Sequence, residues 1–302
     1  MSAPSILVDS LPENLTLTSN TKQSEMSDES DSSDGECFKA LPDDTIEAIG
    51  STASAIRKVI RENEETTDVV KYISFINVPP AIAEKLYLRN TRQMFNHSTR
   101  CMIVKLVTRP HDLASRHLNV EVMYVLKEMG VHQSISMTGT HSVRGRYCEK
   151  QADESWLPIQ PIPGRSTKWP TVTVEVDVSE SYPKLKADAE WWLMNSRGDV
   201  KLVIIVSVNR KTPKIKFETV TLTPATLRLQ RPRNVPTIRQ SITTSRDPER
   251  PDATITVSPP VPLTIQFEEL FCRQPVPPEH NIDLSPDQLR EISRQVWAHQ
   301  VF

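Results

Sequence analysis

The stretch from Trp169 to Val208 constrains the fold most, because it is typical of a strand, a helix and a second strand in direct succession. In the first strand, valines at 172, 174, 176 and 178 alternate with threonines and acids, which is the period of two of a β-strand. A helical segment follows over residues 183–192, and Lys201–Val208 is almost entirely apolar. This βαβ pattern predicts an α/β protein.

Two acids, Glu175 and Asp177, lie two residues apart on the polar face of the first strand. The apolar run of the second strand indicates a place inside a sheet, where unpaired carboxylates are costly. Glu175 and Asp177 are therefore either on a solvated face of an edge strand or held together in a polar site. The strand pattern alone leaves both interpretations open.

Composition sets the broad class of the protein. The chain has 302 residues with 37% hydrophobic content, enough for one large domain or two small ones. It has no apolar run of 18 residues and no secretory pattern at its start, which predicts an intracellular protein, nuclear or cytoplasmic, that is not secreted and does not bind a membrane. The four cysteines are widely spaced, as expected for free thiols rather than a close metal-binding pair.

Charge and proline content divide the chain into four parts. Residues 1–40 are predicted to be a disordered acidic tail, because residues 1–36 hold eight acids and one Lys. Residues 41–221 are predicted to form an α/β domain with its core at about 100–220. Residues 222–262 hold eight of the 24 prolines and six arginines, which favours a linker or insertion. A strand and a helix over 263–302 are predicted to pack on the core.

A family resemblance rests on several short motifs in a fixed order. They are Pro110-His111 at a helix start, Ala152-Asp153 after a strand, Val174-Glu175-Val176, a Ser-Glu-Ser turn at 179–181, and the βαβ unit. Together they resemble the Uma-type restriction-endonuclease-like proteins of bacteria, within the PD-(D/E)XK nuclease superfamily. A group of fungal proteins with the same Trp-Pro-Thr and Asp-Ala-x-Trp-Trp patterns is more similar still. The resemblance covers about residues 100–220 and implies a restriction-endonuclease-like core, a mixed sheet flanked by helices.

The resemblance also implies a site and a cofactor. Asp153 matches the first acid of the family and Glu175 the second, with the carbonyl of Val176 beside them, and the usual cofactor is Mg²⁺. Hard oxygen ligands of this kind suit Mg²⁺, which keeps several of its waters. Asp177 is an additional candidate metal ligand. The implied activity is hydrolysis of DNA phosphodiesters, with DNA as the partner.

One departure from the family pattern bears on activity. Asp177 stands where the superfamily has a catalytic Lys, and Asp188 stands where Uma-type proteins carry it in the following helix. Lys184 and Lys186 are the candidate replacements, since both lie near the start of that helix. The alternative is a protein that kept the nuclease fold, lost catalysis and serves as a nucleic-acid-binding or protein-interaction module. Trp191 is a further candidate, for base stacking, with Trp192 facing the core.

Overall fold

The computed structural model describes residues 35, 37–64, 70–178, 182–224, 234–300 and 302. The acidic tail predicted over residues 1–40 lies almost wholly outside these ranges, as do the Ser-Glu-Ser turn at 179–181 and residues 225–233 of the predicted linker. None of the helices within the described ranges is both long enough and apolar enough to cross a membrane.

Strands and helices alternate along the described chain. The helices are α1 (Ala53–Glu64), α2 (Pro80–Lys85), α3 (Arg109–Glu128), α4 (Tyr182–Asn195), α5 (Phe267–Phe271) and α6 (Pro286–Trp297). The strands before the βαβ unit are β1 (Ile46–Ile49), β2 (Lys71–Ile76), β3 (Thr91–Asn96), β4 (Cys101–Leu106), β5 (Ile135–Met137), β6 (Ser142–Arg144), β7 (Cys148–Gln151) and β8 (Glu154–Pro158). The others are β9 (Val172–Asp177), β10 (Leu202–Val208), β11 (Lys214–Pro224), β12 (Asn234–Ser245), β13 (Thr256–Ser258), β14 (Leu263–Ile265) and β15 (Ile282–Leu284).

The larger sheet has the strand order β13-β12-β11-β10-β9-β8-β5. Strands β9 and β10 are parallel and joined by α4, while the other neighbours in this sheet are antiparallel. Helices α3 and α4 both pack against β9 and β10. The predicted fold class, α/β with a mixed sheet flanked by helices, is thus confirmed, and so is the order of helix, strands, acid, strand with acid, helix and strand.

Strand β9 lies inside this sheet, between β8 and β10. All six of its residues are buried, including those on its polar face. Glu175 is 1% exposed and Asp177 is also 1% exposed, so neither lies on a solvated edge. Of the two interpretations of these acids, the structure therefore supports a buried polar site.

A smaller sheet, of order β1-β2-β4-β3-β7-β6, brings further charged side chains to β9. In its ladders Lys105 of β4 is directly opposite Tyr72 of β2 and Arg92 of β3. These three side chains form a row across the sheet, because directly paired residues share a face. Lys150 of β7 pairs with Met94 of β3, one strand further on.

The structure corrects two sequence interpretations. Of the linker or insertion predicted over residues 222–262, the described part is not a linker, since β12 pairs with β11 and β13 continues the sheet. The β-branched Thr and Ile residues of 237–245 favour a strand, and this composition outweighs the prolines nearby. Trp191 is not free for base stacking, because it is fully buried against Trp169 and Trp192.

Candidate active site

The sheet register places the two predicted acids opposite one another. Asp153 immediately precedes β8, and its backbone N–H donates to the carbonyl of Val174 in β9. Glu154 pairs with Val174, so the antiparallel register places Asp153 opposite Glu175. Burial is the main cause that raises the pKa of Glu175, and the charge of Asp153 adds to the rise, so the two carboxylates also interact electrostatically. The first and second acids of the predicted site therefore lie on one face of two paired strands.

The carboxylate of Asp153 is completely buried and surrounded by donors. Its Oδ2 accepts from the Val176 N–H and from Lys105 Nζ, both at 2.7 Å. Its Oδ1 lies 3.1 Å from Arg92 Nε and 3.1 Å from His111 Nε2. Burial by itself would raise the pKa of Asp153, but His111, Lys105 and Arg92 hold it well below its usual value. Asp153 is thus held as a carboxylate.

Glu175 contacts a second group of buried polar and charged side chains. Its Oε1 accepts from Trp192 Nε1 at 2.5 Å and lies 3.2 Å from Lys150 Nζ. Lys150 is also 3.0 Å from Asp188 Oδ1, which accepts a hydrogen bond from Lys184. Burial and the neighbouring charge of Asp188 raise the pKa of Glu175 more than Lys150 lowers it. Glu175 is therefore the less firmly ionised of the two opposed acids.

Lys105 contacts two of the predicted metal ligands at once. Its ammonium donates to Asp153 Oδ2 at 2.7 Å and to the carbonyl of Val176 at 2.8 Å. The ammonium occupies the position that a metal ion would take, because both oxygens point at this one positive charge. Asp153 Oδ2 and the Val176 oxygen fit a divalent metal in kind and placement, and Glu175 supplies a carboxylate on the opposite strand position. Asp153, Glu175 and the Val176 carbonyl would hold it.

Protein side chains alone do not complete a metal coordination shell here. No three His, Cys, Asp or Glu side chains within the described ranges are grouped so as to bind a metal by themselves. This set suits Mg²⁺ better than Zn²⁺, because Mg²⁺ binds through one or two carboxylates plus water and substrate phosphate.

A small cavity lies beside these charges. Its volume is about 20 Å³, which is room for about one water molecule. Its lining includes the Tyr72, Lys105, Lys150, Glu175, Lys184 and Asp188 side chains. The Tyr72 hydroxyl is buried and has no hydrogen-bond partner among the residues the structure describes. Burial, followed by the surrounding carboxylates, raises the pKa of Tyr72, so its hydroxyl keeps its proton.

The remaining predicted site residues are divided between the cavity and the surface. Lys184 lines the cavity and is 2% exposed. Lys186 is exposed, with its amine 5.8 Å from the centre of the Tyr182 ring, and it does not line the cavity. Asp177 is buried on β9, and its charge is the first among the carboxylates that raise the pKa of Tyr72.

Four basic residues of the site were not predicted from the sequence: Arg92, Lys105, His111 and Lys150. The sequence did contain an indication for Lys105, because it is the one charged residue in the apolar strand Met102–Leu106. Such a lysine must be paired when the strand is buried. His111 was quoted as part of a motif, but nothing in the sequence indicated that it would contact Asp153.

Comparisons with known proteins add structural likeness alone. No family model matches the chain, and no curated protein matches it. Among solved structures it is similar to a crystal structure from Anabaena variabilis described as a "putative nuclease belonging to DUF820". The identity is 13% and the TM-score 0.35, over 67% of this chain and 90% of that one. At that TM-score, the function of this chain has to be inferred from its own site.

Proposed function

We propose that this chain is a metal-dependent nuclease that hydrolyses DNA phosphodiesters. The observation that supports this best is that Asp153 Oδ2 and the Val176 carbonyl converge on one ammonium, with Glu175 opposite Asp153 in the strand register. Bound at these oxygens, Mg²⁺ would supply an activated water and stabilise charge on the phosphoryl oxygens. The nearby lysines replace the missing superfamily lysine in this proposal.

The buried lysines supply the positive charge that Asp177 cannot. Lys150 is 3.2 Å from Glu175, and Lys184 lies on the same cavity wall. A positive group beside the second acid stabilises the charge that develops on a phosphate during hydrolysis. Tyr72 is a neutral donor at the same cavity, since its hydroxyl stays protonated. These residues orient water and phosphate at the acids.

A larger groove offers the approach for DNA. Its volume is about 240 Å³, and it shares Gln93 and Gln151 with the small cavity. The N–H of Gln93 donates to Oε1 of Gln151 at 3.1 Å, so this pair forms the wall between the two spaces. Tyr87 lines the groove and is 77% exposed, as suits a side chain that stacks on a base.

The acids of the site are already neutralised by lysines of the same chain, and this favours a second function. The buried acids Asp153, Glu175 and Asp188 each contact a buried lysine. A site whose charges are already paired can be kept because it stabilises the fold, even after catalysis is lost. In that case the chain is a non-catalytic module that binds nucleic acid or protein.

Nicking of supercoiled plasmid separates the two functions. The full chain is expected to nick plasmid in Mg²⁺ or Mn²⁺ and to stop in EDTA, because the acids act through a bound cation. The double variant Asp153→Asn, Glu175→Gln, purified identically, controls for contaminating nucleases. Absence of nicking in every metal, or equal nicking by the double variant, would leave the non-catalytic module as the function.

The two candidate lysines of α4 are expected to differ in effect. Lys184→Met should lower the nicking rate at least about tenfold, roughly 1.4 kcal/mol of barrier, because it removes a charge from the cavity wall. Lys186→Met, two residues along the same helix and exposed, should leave the rate nearly unchanged. Rates under saturating Mn²⁺ make the comparison. The reverse order of effects would assign the role to Lys186.

A further inference from the structure

We propose that Lys105 competes with the metal for its own site, so that a divalent cation binds only when the Lys105 ammonium withdraws. The inference rests on the proposed metal site. It adds a residue from a different sheet that sets how tightly the metal binds.

The contacts of Lys105 leave no room for a second cation. Its Nζ is 2.7 Å from Asp153 Oδ2 and 2.8 Å from the Val176 oxygen. Mg²⁺ requires oxygen ligands at about 2.0–2.1 Å, so an ion bound to the same two oxygens would overlap the ammonium. Lys105 is 5% exposed, and its bonds are therefore little weakened by water. Metal binding must break both of them.

A place for the displaced ammonium exists beside the site. Lys105 lines the small cavity, as does Tyr72, its directly opposed neighbour in the β2–β4 ladder. The Tyr72 hydroxyl is buried and has no hydrogen-bond partner in the described part of the chain. A hydroxyl oxygen can accept from an ammonium. Tyr72 is thus the acceptor for Lys105 when the metal takes its place.

The consequence is a reduced apparent affinity for the metal. Only the molecules in which the internal group has already withdrawn can bind the ligand. The apparent Kd is therefore the intrinsic Kd divided by the fraction of such molecules. Replacing Lys105 by a neutral side chain removes the competitor and leaves Asp153 Oδ2 without a cation, while Arg92 and His111 remain at Oδ1. The variant should therefore bind the metal more tightly than the parent chain does.

Mn²⁺ binding to the full chain tests this directly. Free Mn²⁺ is measured by electron paramagnetic resonance during titration of the parent, Lys105→Met and Lys105→Gln. Both variants are expected to lower the Kd for Mn²⁺ at least tenfold. Lys127→Met, on the exposed face of α3, is the matched control and should match the parent. An unchanged Kd in both Lys105 variants overturns the proposal.

Thermal unfolding covers the case in which a variant is poorly folded without metal. Lys105→Met should melt below the parent in EDTA, and Mn²⁺ should raise its Tm more than it raises that of the parent. Lys105→Gln keeps a donor for both oxygens while removing the charge, and the same larger Mn²⁺ shift is expected. If Mn²⁺ shifts parent and variants equally, Lys105 does not compete.

The result also separates this inference from the proposed function. Tighter Mn²⁺ binding in the Lys105 variants, without plasmid nicking by any form, supports the competition and counts against the nuclease. Metal-dependent nicking by the parent with equal Kd values in all forms supports the nuclease and removes the role of Lys105.

Discussion

Asp153→Asn is expected to lower the free energy of unfolding at pH 7 by about 3–5 kcal/mol. The substitution keeps the shape of the side chain but removes the charge that Lys105 and Arg92 face in a buried setting. Removing one partner of a buried ion pair leaves the other charge uncompensated, and this cost dominates. Urea unfolding monitored by tryptophan fluorescence gives the value. A loss below about 1 kcal/mol would mean that Asp153 is balanced by groups other than these.

The pH dependence of this difference follows from the lowered pKa of Asp153. A carboxyl group whose pKa is depressed by folding adds stability above its unfolded value of 3.8, and that stability is lost as the pH falls through the folded pKa. The gap between parent and Asp153→Asn should therefore stay constant from pH 7 to about pH 4 and shrink only below it. A gap that closes between pH 7 and pH 5 would contradict the depressed pKa.

The double variant Asp153→Asn, Lys105→Met provides the control for the pairing. Replacing both members of a buried ion pair is often nearly neutral, whereas breaking the pair is costly. The double variant is expected to lose less stability than the sum of the two single variants. Additive losses would place Asp153 and Lys105 in separate interactions.

The local part of this fold could be predicted from the sequence because it depends on short-range patterns. The valine alternation of β9, the helix α4 and the apolar run of β10 all follow from periodicity within about ten residues of each position. Asp153 and Glu175 came from their motifs, and the pairing of β8 with β9 then placed them opposite one another. Strand β12 was missed because nearby prolines and arginines drew attention away from its β-branched residues.

Lys105 and Lys150 could not be predicted in the same way, because they come from the smaller sheet. Lys105 and Lys150 are 48 and three residues before Asp153 in the chain, yet both are within about one strand width of it or of its partner Glu175. Their approach depends on how the smaller sheet packs over β9, which short-range patterns do not specify. A buried lysine in an apolar strand predicts that an acid is near, but not which one.

Glu175→Gln separates catalysis from stability more cleanly than Asp153→Asn. Burial and the charge of Asp188 raise the pKa of Glu175 above its usual 4.5. A group of this kind stabilises the fold below pH 4.5, and its contribution is lost as the pH rises through the folded pKa, so the ionised form is a cost at pH 7. The amide oxygen of Gln can still accept from Trp192 Nε1, and Lys150 keeps Asp188 as a partner. The variant should therefore fold at least as stably as the parent.

The nicking rate of Glu175→Gln, by contrast, is expected to fall at least about 100-fold, roughly 2.7 kcal/mol of barrier, because a neutral amide cannot replace a carboxylate as a metal ligand. Glu154→Gln is the matched control, since Glu154 is the residue after Asp153 and its side chain is on the opposite face of β8. Plasmid nicking under saturating Mn²⁺, with unfolding curves for all three proteins, makes the comparison. A rate for Glu175→Gln within threefold of the parent, in a stably folded protein, would remove Glu175 from the metal site. A parallel loss in Glu154→Gln would point instead to a general disturbance of this end of the sheet.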